Sequence, residues 1–336
     1  MPNGAQLDIT TGDIAVSLNN VCKQFVQWQR SGSVKDILRN LVKPEKRTVD
    51  ALKDVSLEIG RGEFVAYAGA NGAGKSTTIK ILAGIMQPSS GEVYVLGLRP
   101  EQSRVDLMKR IGVIFGQRTE LWWDHPVAVS YEWKRVVWNI PQSVYQRRLA
   151  MVSELLELSD LMNTFARELS LGQRMRADLG LMLLHDPELI FLDEPTLGLD
   201  VLAKRQMIDF LKQINREQGT TIVVTSHDMD DLEEMAQRIV LLSHGQIAFD
   251  GSFEELRQLT GGLCRLRLTF RGEAQPLPCG RLLHSERSNS EYEFDTAVIP
   301  VRLVLAEIAK LDGVIDIEIR KAPIEQIVAE LYKRWR

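Results

Sequence analysis

A chain of 336 residues allows two or three domains, each with its own core. Hydrophobic residues make up 44% and charged ones 26%, an ordinary soluble balance, and the net charge of −4 excludes a nucleic-acid binder driven by bulk electrostatics. Three widely spaced cysteines, Cys22, Cys264 and Cys279, exclude a disulfide framework or zinc site and fit a reducing cytosol.

The N-terminal run MPNGAQLDIT lacks the pattern of a signal peptide. No window along the chain nears the about 18 apolar residues a spanning helix needs, so a membrane role is expected to pass through a partner. Residues 27–49 carry six basic side chains against Asp36 and Glu45, a local charge of +4. Within them Val34, Ile37, Leu38, Leu41 and Val42 recur at helical spacing, with Ser33 as N-cap and Pro44 as stop, which predicts an amphipathic helix. Such a helix suits the cytoplasmic membrane surface or a membrane partner, and equally a surface hairpin packed on its own domain.

Next comes GANGAGKST, residues 69–77, between a strand-like run at 64–68 and a helix-like run starting at Ile79. It matches G-x-x-x-x-G-K-[ST] through Gly69, Gly74, Lys75 and Ser76. Glycines let the backbone curl round an anion with its amides inward, and the following helix offers a positive end. Lys75 supplies charge to the β- and γ-phosphates of a nucleoside triphosphate, and the Ser76 hydroxyl can ligate Mg²⁺.

The apolar strands Ile111–Ile114, Leu189–Leu192 and Thr221–Val224 each run into a polar tip: Phe115-Gly116-Gln117, Asp193-Glu194 and Thr225-Ser226-His227-Asp228. Asp193 is placed to reach Mg²⁺ and Glu194 to act as general base on water. Residues 120–175 read as helix-rich, with Leu169-Ser170-Leu171-Gly172-Gln173 at their end, and Leu197-Gly198-Leu199-Asp200 follows the carboxylates. Trp122 and Trp123 cannot both face one core from a regular strand, so one of them is a candidate partner contact, or both pack within the helical region.

In this order and spacing, residues 14–255 resemble the nucleotide-binding subunit of ATP-binding cassette (ABC) transporters. The resemblance implies an α/β fold: a P-loop ABC ATPase core, with a RecA-like sheet and a helical subdomain over 120–175. It also implies an ATP site with Mg²⁺, formed by Gly69, Asn71, Gly72, Gly74, Lys75, Ser76 and Thr77, with Ser76, Gln117 and Asp193 round the metal. Glu194, His227 and Gln117 would be catalytic. Ser170, Gly172 and Gln173 would meet the ATP of an opposing protomer, and Asp200 would couple the two sites of a homodimer. Leu171 stands where the family usually has glycine. Phe25, with Trp28 as the alternative, would stack on adenine. The family's partners are transmembrane permease subunits, which places the chain peripherally on the cytoplasmic face. The insertion at 27–49 and the runs Phe115–Arg118, Trp122–Asp124 and Leu169–Arg176 resemble an ABC-2 type exporter subgroup. An importer subunit or a soluble cassette ATPase is the competing reading.

After Leu256 the pattern changes. Alternating strands at 264–270, 291–294 and 314–319, with helices at 301–311 and 324–332 and a loop at 272–280, predict a small α+β accessory or dimerisation domain over 263–336.

Overall fold

The computed structural model describes residues 13–28, 46–116, 118–259 and 262–334. It divides into two compact units, 1–250 and 251–336.

The first unit contains two sheets. Strands β1 (Ile14–Trp28), β2 (Lys46–Gly60) and β4 (Ser90–Val95) form an antiparallel sheet in the order β2-β1-β4. Strands β3 (Phe64–Gly69), β5 (Ile111–Phe115), β6 (Leu189–Asp193), β7 (Thr221–Thr225), β8 (Arg238–Ser243) and β9 (Gln246–Ser252) form the second, in the order β5-β6-β7-β3-β8-β9. From β5 to β8 the pairing is parallel. Every residue of β3 and β7 is buried, as expected for strands covered on both faces, which is why they read as unbroken apolar runs. One core joins the two sheets: Val16, Leu18, Val55 and Ile59 pack with Tyr67, Phe191, Val223 and with Ile79, Ile81 and Leu82 of α1 (Lys75–Leu82). Helix α1 begins at Lys75, four residues before the expected start, because the phosphate loop runs straight into its first turn.

The insertion differs from expectation at its ends. Residues 27–28 and 46–49 are strand, with Gln27 opposite Arg47 and Trp28 opposite Lys46, so β1 and β2 continue as one long ladder. The helix expected over 33–44 lies outside the described residues.

The short α2 (Arg104–Met108) precedes β5, and the expected helical region follows it. It holds α3 (Val127–Val137), α4 (Gln142–Leu155), two short 3₁₀ turns and the start of α5 (Leu171–Leu183). Tyr131 of α3 is fully buried and its hydroxyl donates to the Ala177 carbonyl of α5 at 2.7 Å. Gly180 makes room for that ring, since a Cβ there would collide with Tyr131 and Leu158. Helices α6 (Val201–Gln218) and α7 (Met229–Met235) flank β7 in sequence and are tied together by Lys204, whose Nζ bonds Asp228 at 2.8 Å and Asp231 at 2.9 Å.

In the second unit, α8 (Phe253–Gln258) leads to an antiparallel sheet of β10 (Leu263–Phe270), β11 (Arg281–Glu286), β12 (Asn289–Asp295) and β13 (Val314–Lys321), in the order β11-β12-β10-β13. Leu266, Leu268, Phe270, Tyr292 and Phe294 pack under Val304 and Ile308 of α9 (Val301–Ile308). The chain then runs into α10 (Ile324–Arg334). Strand β11 went unread in the sequence. All six of its side chains are exposed, and a register shift between Leu282 and His284 breaks the period of two. All three cysteines are free, and no helix among the described residues is long and apolar enough to cross a membrane.

Candidate functional site

The phosphate loop joins β3 to α1. Gly74 has φ 116°, and a Cβ there would lie 2.7 Å from both the Ala51 carbonyl and Leu52 Cδ2, so only glycine fits. Gly74 is also the N-cap of α1 and offers no side chain, which leaves the helix's first amides for an anion. Gly72, at φ 79°, has open space where its Cβ would be. Behind the loop, Tyr67 donates to Thr78 Oγ1 at 3.1 Å, and Thr78 Oγ1 donates to the Gly74 carbonyl at 3.2 Å.

Lys75 is buried, and its Nζ donates to the carbonyls of Gly69 at 2.6 Å and Ala70 at 3.4 Å. Burial lowers its pKa, opposed by the negative charges of Glu194 and Asp193. A buried cation bonded to neutral carbonyls, beside capless amides, fits an anionic ligand. Ser76 and Thr77 occupy the first turn of α1 beside it. The oxygen donors Ser76 and Asp193 are of the hard type that suits Mg²⁺.

The carboxylates stand at the C-terminal tip of β6. The parallel register sets Asp193 against Thr225, whose Oγ1 donates to Asp193 Oδ1 at 2.6 Å. The Glu194 amide donates to the Thr225 carbonyl at 3.0 Å and to Thr225 Oγ1 at 3.1 Å. Glu194 has φ 58°, a left-handed conformation unusual outside glycine. That turn swings its side chain to His227, where Nε2 and Oε1 lie 2.6 Å apart. The Gly116 amide donates to the Asp193 carbonyl at 2.7 Å, which pins the chain just before Gln117. Gln117 itself lies outside the described residues.

Ser170 and Gln173 form a reciprocal cap on α5. Ser170 Oγ accepts from the Gln173 amide at 3.2 Å, and Gln173 Oε1 accepts from the Ser170 amide at 2.9 Å. Leu171 is the first residue of the helix, and a Cβ on Gly172 would lie 3.3 Å from Ala203 Cβ of α6. Asp200 caps α6, its Oδ1 accepting from the Ala203 amide at 2.9 Å. Beside it Leu197, Val201 and Leu202 are exposed.

Phe25 is half-buried on β1 opposite Val49, with Lys23 Nζ 5.3 Å from its ring centre. It belongs to the antiparallel sheet, apart from the sheet that ends in the phosphate loop. Trp122 and Trp123 are both partly exposed at the surface of the helical region. Trp122 contacts the rings of His125 and Trp133, and Arg174 lies over Trp123 at 4.5 Å. His185 is packed: it stacks on Trp138 at 5.2 Å and its Nε2 lies 2.9 Å from the Ile111 carbonyl.

In the sequence Thr225 reads only as the start of a polar strand tip. Nothing local marks it as the partner of Asp193; the register of two strands does.

A capless glycine loop at one strand tip and two carboxylates on another strand of the same parallel sheet define the α/β P-loop ATPase fold. The ABC transporter family model matches residues 52–197. The ABC transporter ATP-binding protein NatA of Bacillus subtilis (strain 168) is 31% identical over 212 residues, 63% of this chain and 86% of that protein. The methionine import ATP-binding protein MetN of Carboxydothermus hydrogenoformans is 33% identical over 221 residues, 64% of this chain and 65% of that protein. A dimeric post-hydrolysis structure of the ATP-binding cassette MJ0796 bound to ADP and Pi matches with a TM-score of 0.59 and 27% identity, over 70% of this chain and 98% of that one. The chain belongs to the ABC transporter family as an ATP-binding subunit, and ATP hydrolysis by its nucleotide-binding domain is its reaction.

Proposed function

We propose that this chain hydrolyses ATP as a homodimer to power a separate transmembrane permease of the ABC-2 exporter type, at the cytoplasmic face of the membrane. The observation that carries the catalytic reading is Glu194 Oε1 held 2.6 Å from His227 Nε2, at the tips of strands that share a parallel sheet with the phosphate loop.

Lys75 and the loop amides of residues 69–77, Asn71 and Gly72 among them, bind the β- and γ-phosphates. Ser76, Asp193 and Gln117 would hold Mg²⁺, which when bound neutralises phosphate charge. Glu194 takes the proton of the attacking water. Its Oε1 engages His227, which orients the carboxylate and leaves Oε2 for the water. His227 also contacts the γ-phosphate. Phe25 stacks on adenine. Ser170 accepts a bond from its own helix and so keeps its hydroxyl proton to donate to the ATP of the opposing protomer. Gly172 brings the α5 backbone close to the same ATP, and Gln173 retains its amide protons. Asp200, rigid as a helix cap and flanked by exposed Leu197, Val201 and Leu202, lies on the seam between protomers.

The exporter assignment rests on the basic segment 27–49 and on the runs Phe115–Arg118, Trp122–Asp124 and Leu169–Arg176; the exposed Trp122 and Trp123 offer a surface to a permease. The α+β domain over 263–336 serves as an accessory or dimerisation domain. Similarity to MetN keeps an import subunit as the second reading. Tagged Glu194→Gln protein, pulled from its native cells in mild detergent with ATP, tests both. Multi-span membrane proteins in near-equal amounts support the transporter reading, and an extracytoplasmic binding protein among them favours import. Ribosomes or DNA factors in their place overturn it.

A further inference from the structure

Asp178 is a buried carboxylate that the reaction above does not use. It lies on α5, two turns beyond Ser170, and is 7% exposed. Its Oδ1 accepts from Thr119 Oγ1 at 2.9 Å and from the Glu120 amide at 3.0 Å. Both donors belong to the segment that follows Gln117. Thr119 Oγ1 in turn accepts from the Leu121 amide at 3.0 Å, which closes the turn round the carboxylate.

Among the described residues no ion pair to Asp178 is seen. Facing it are Thr119 and Glu120 from the loop, and from α3 Tyr131, whose hydroxyl is engaged by Ala177. The buried ammonium of Lys134, also on α3, bonds Glu120 at 2.8 Å. On α5 itself, Arg174 lies one turn back and stacks on Trp123. Burial pushes the Asp178 carboxyl up to about 6, although hydrogen bonds from Thr119 and from the Glu120 and Leu121 amides pull the other way. An apolar side chain at this helical position would be less costly to bury. The return on the carboxylate is two bonds that no apolar residue makes, both to one loop.

That loop is held at its near end as well, where the Gly116 amide meets the Asp193 carbonyl at 2.7 Å. The chain is therefore tied to the catalytic strand at Gly116 and to α5, the helix that starts with Ser170 and Gly172, at Thr119 and Glu120. We propose that Asp178 is a positioning residue that locks the segment 119–121, which follows Gln117 in the chain, to α5, so that this segment and the Ser170–Gly172 end move as one body. This rests on the roles assigned above to Gln117, Ser170 and Gly172. Thr119 is the second half of the lock.

The test is steady-state ATP hydrolysis by the full chain carrying Asp178→Leu, Asp178→Asn, Thr119→Val or Gln117→Ala. Asp178→Leu and Thr119→Val should each lose about tenfold or more in kcat with KM for ATP within about twofold, as misplacement of a catalytic group does. The double variant should lose no more than the worse single one. Asp178→Asn should keep the parent's melting temperature or exceed it near neutral pH. Its kcat should not show the parent's decline on acidification through about pH 6. Parent kcat in Asp178→Leu and Thr119→Val, with Gln117→Ala impaired, overturns this inference alone. So does a loss that merely tracks a falling melting temperature. Parent kcat in Gln117→Ala overturns the reading of the loop and the inference with it.

Discussion

His227 Nε2 lies 2.6 Å from Glu194 Oε1, a contact made possible by the left-handed turn of Glu194 at φ 58°. The proposed base and the histidine against it come from the tips of two adjacent parallel strands, β6 and β7. The strained backbone is where the fold spends stability on placing one carboxylate.

Replacing Glu194 by Gln removes the base and keeps the shape. Hydrolysis should fall by roughly 10²–10⁴-fold while ATP still binds. Phosphate release and nucleotide retention on the same sample check this, and a nucleotide-stabilised dimer should accumulate. Parent-rate turnover in this variant would end the general-base assignment.

Lys75→Ala leaves the Gly69 carbonyl without its 2.6 Å donor and the phosphates without their cation. Charge-assisted bonds of this kind contribute about 1.5–3 kcal/mol, so ATP affinity should drop by at least about tenfold. Calorimetric titration in the Glu194→Gln background, where ATP survives the measurement, gives the number.

Thr225→Val keeps the volume and deletes one hydroxyl that serves both carboxylate residues. Leaving Asp193 Oδ1 without that donor should cost about 1–3 kcal/mol of stability. Denaturant unfolding reads the loss, and hydrolysis should fall with it because Glu194 loses part of its anchor.

His185 gives a pH dependence. Burial holds its imidazole at about 4, below the usual 6.5, with Lys134 and Arg148 adding to the effect. The neutral ring therefore contributes stability fully above pH 6.5 that is lost as pH falls toward 4. Between pH 7 and 5 the loss should be about 2 kcal/mol. A His185→Gln variant should show a flatter stability curve over that interval in urea melts. A parallel curve would mean that the ring is not held neutral.

Motifs that are contiguous in the chain were legible from order and spacing. The glycine loop, Lys75, and the strand tips at Asp193 and His227 sit on apolar runs that can only be buried strands, and each motif is contiguous. That Ser170 and Asp200 cap their helices emerged only from the structure. Strand β11 was illegible because an edge strand with every side chain in water carries no alternation. At the ends of the insertion, strand pairing extends β1 and β2 beyond what helical spacing at 34–42 suggested.

The sequence by itself thus determined the nucleotide chemistry, because a phosphate loop and its carboxylates are specified by residue type within a few positions. Only the tertiary structure decided which groups hold them. Thr225 meets Asp193 across 32 residues, and Asp178 meets Thr119 and Glu120 across 59 and 58. Such pairs depend on strand register and helix rotation, which are settled when the whole core packs and leave no mark in either stretch alone.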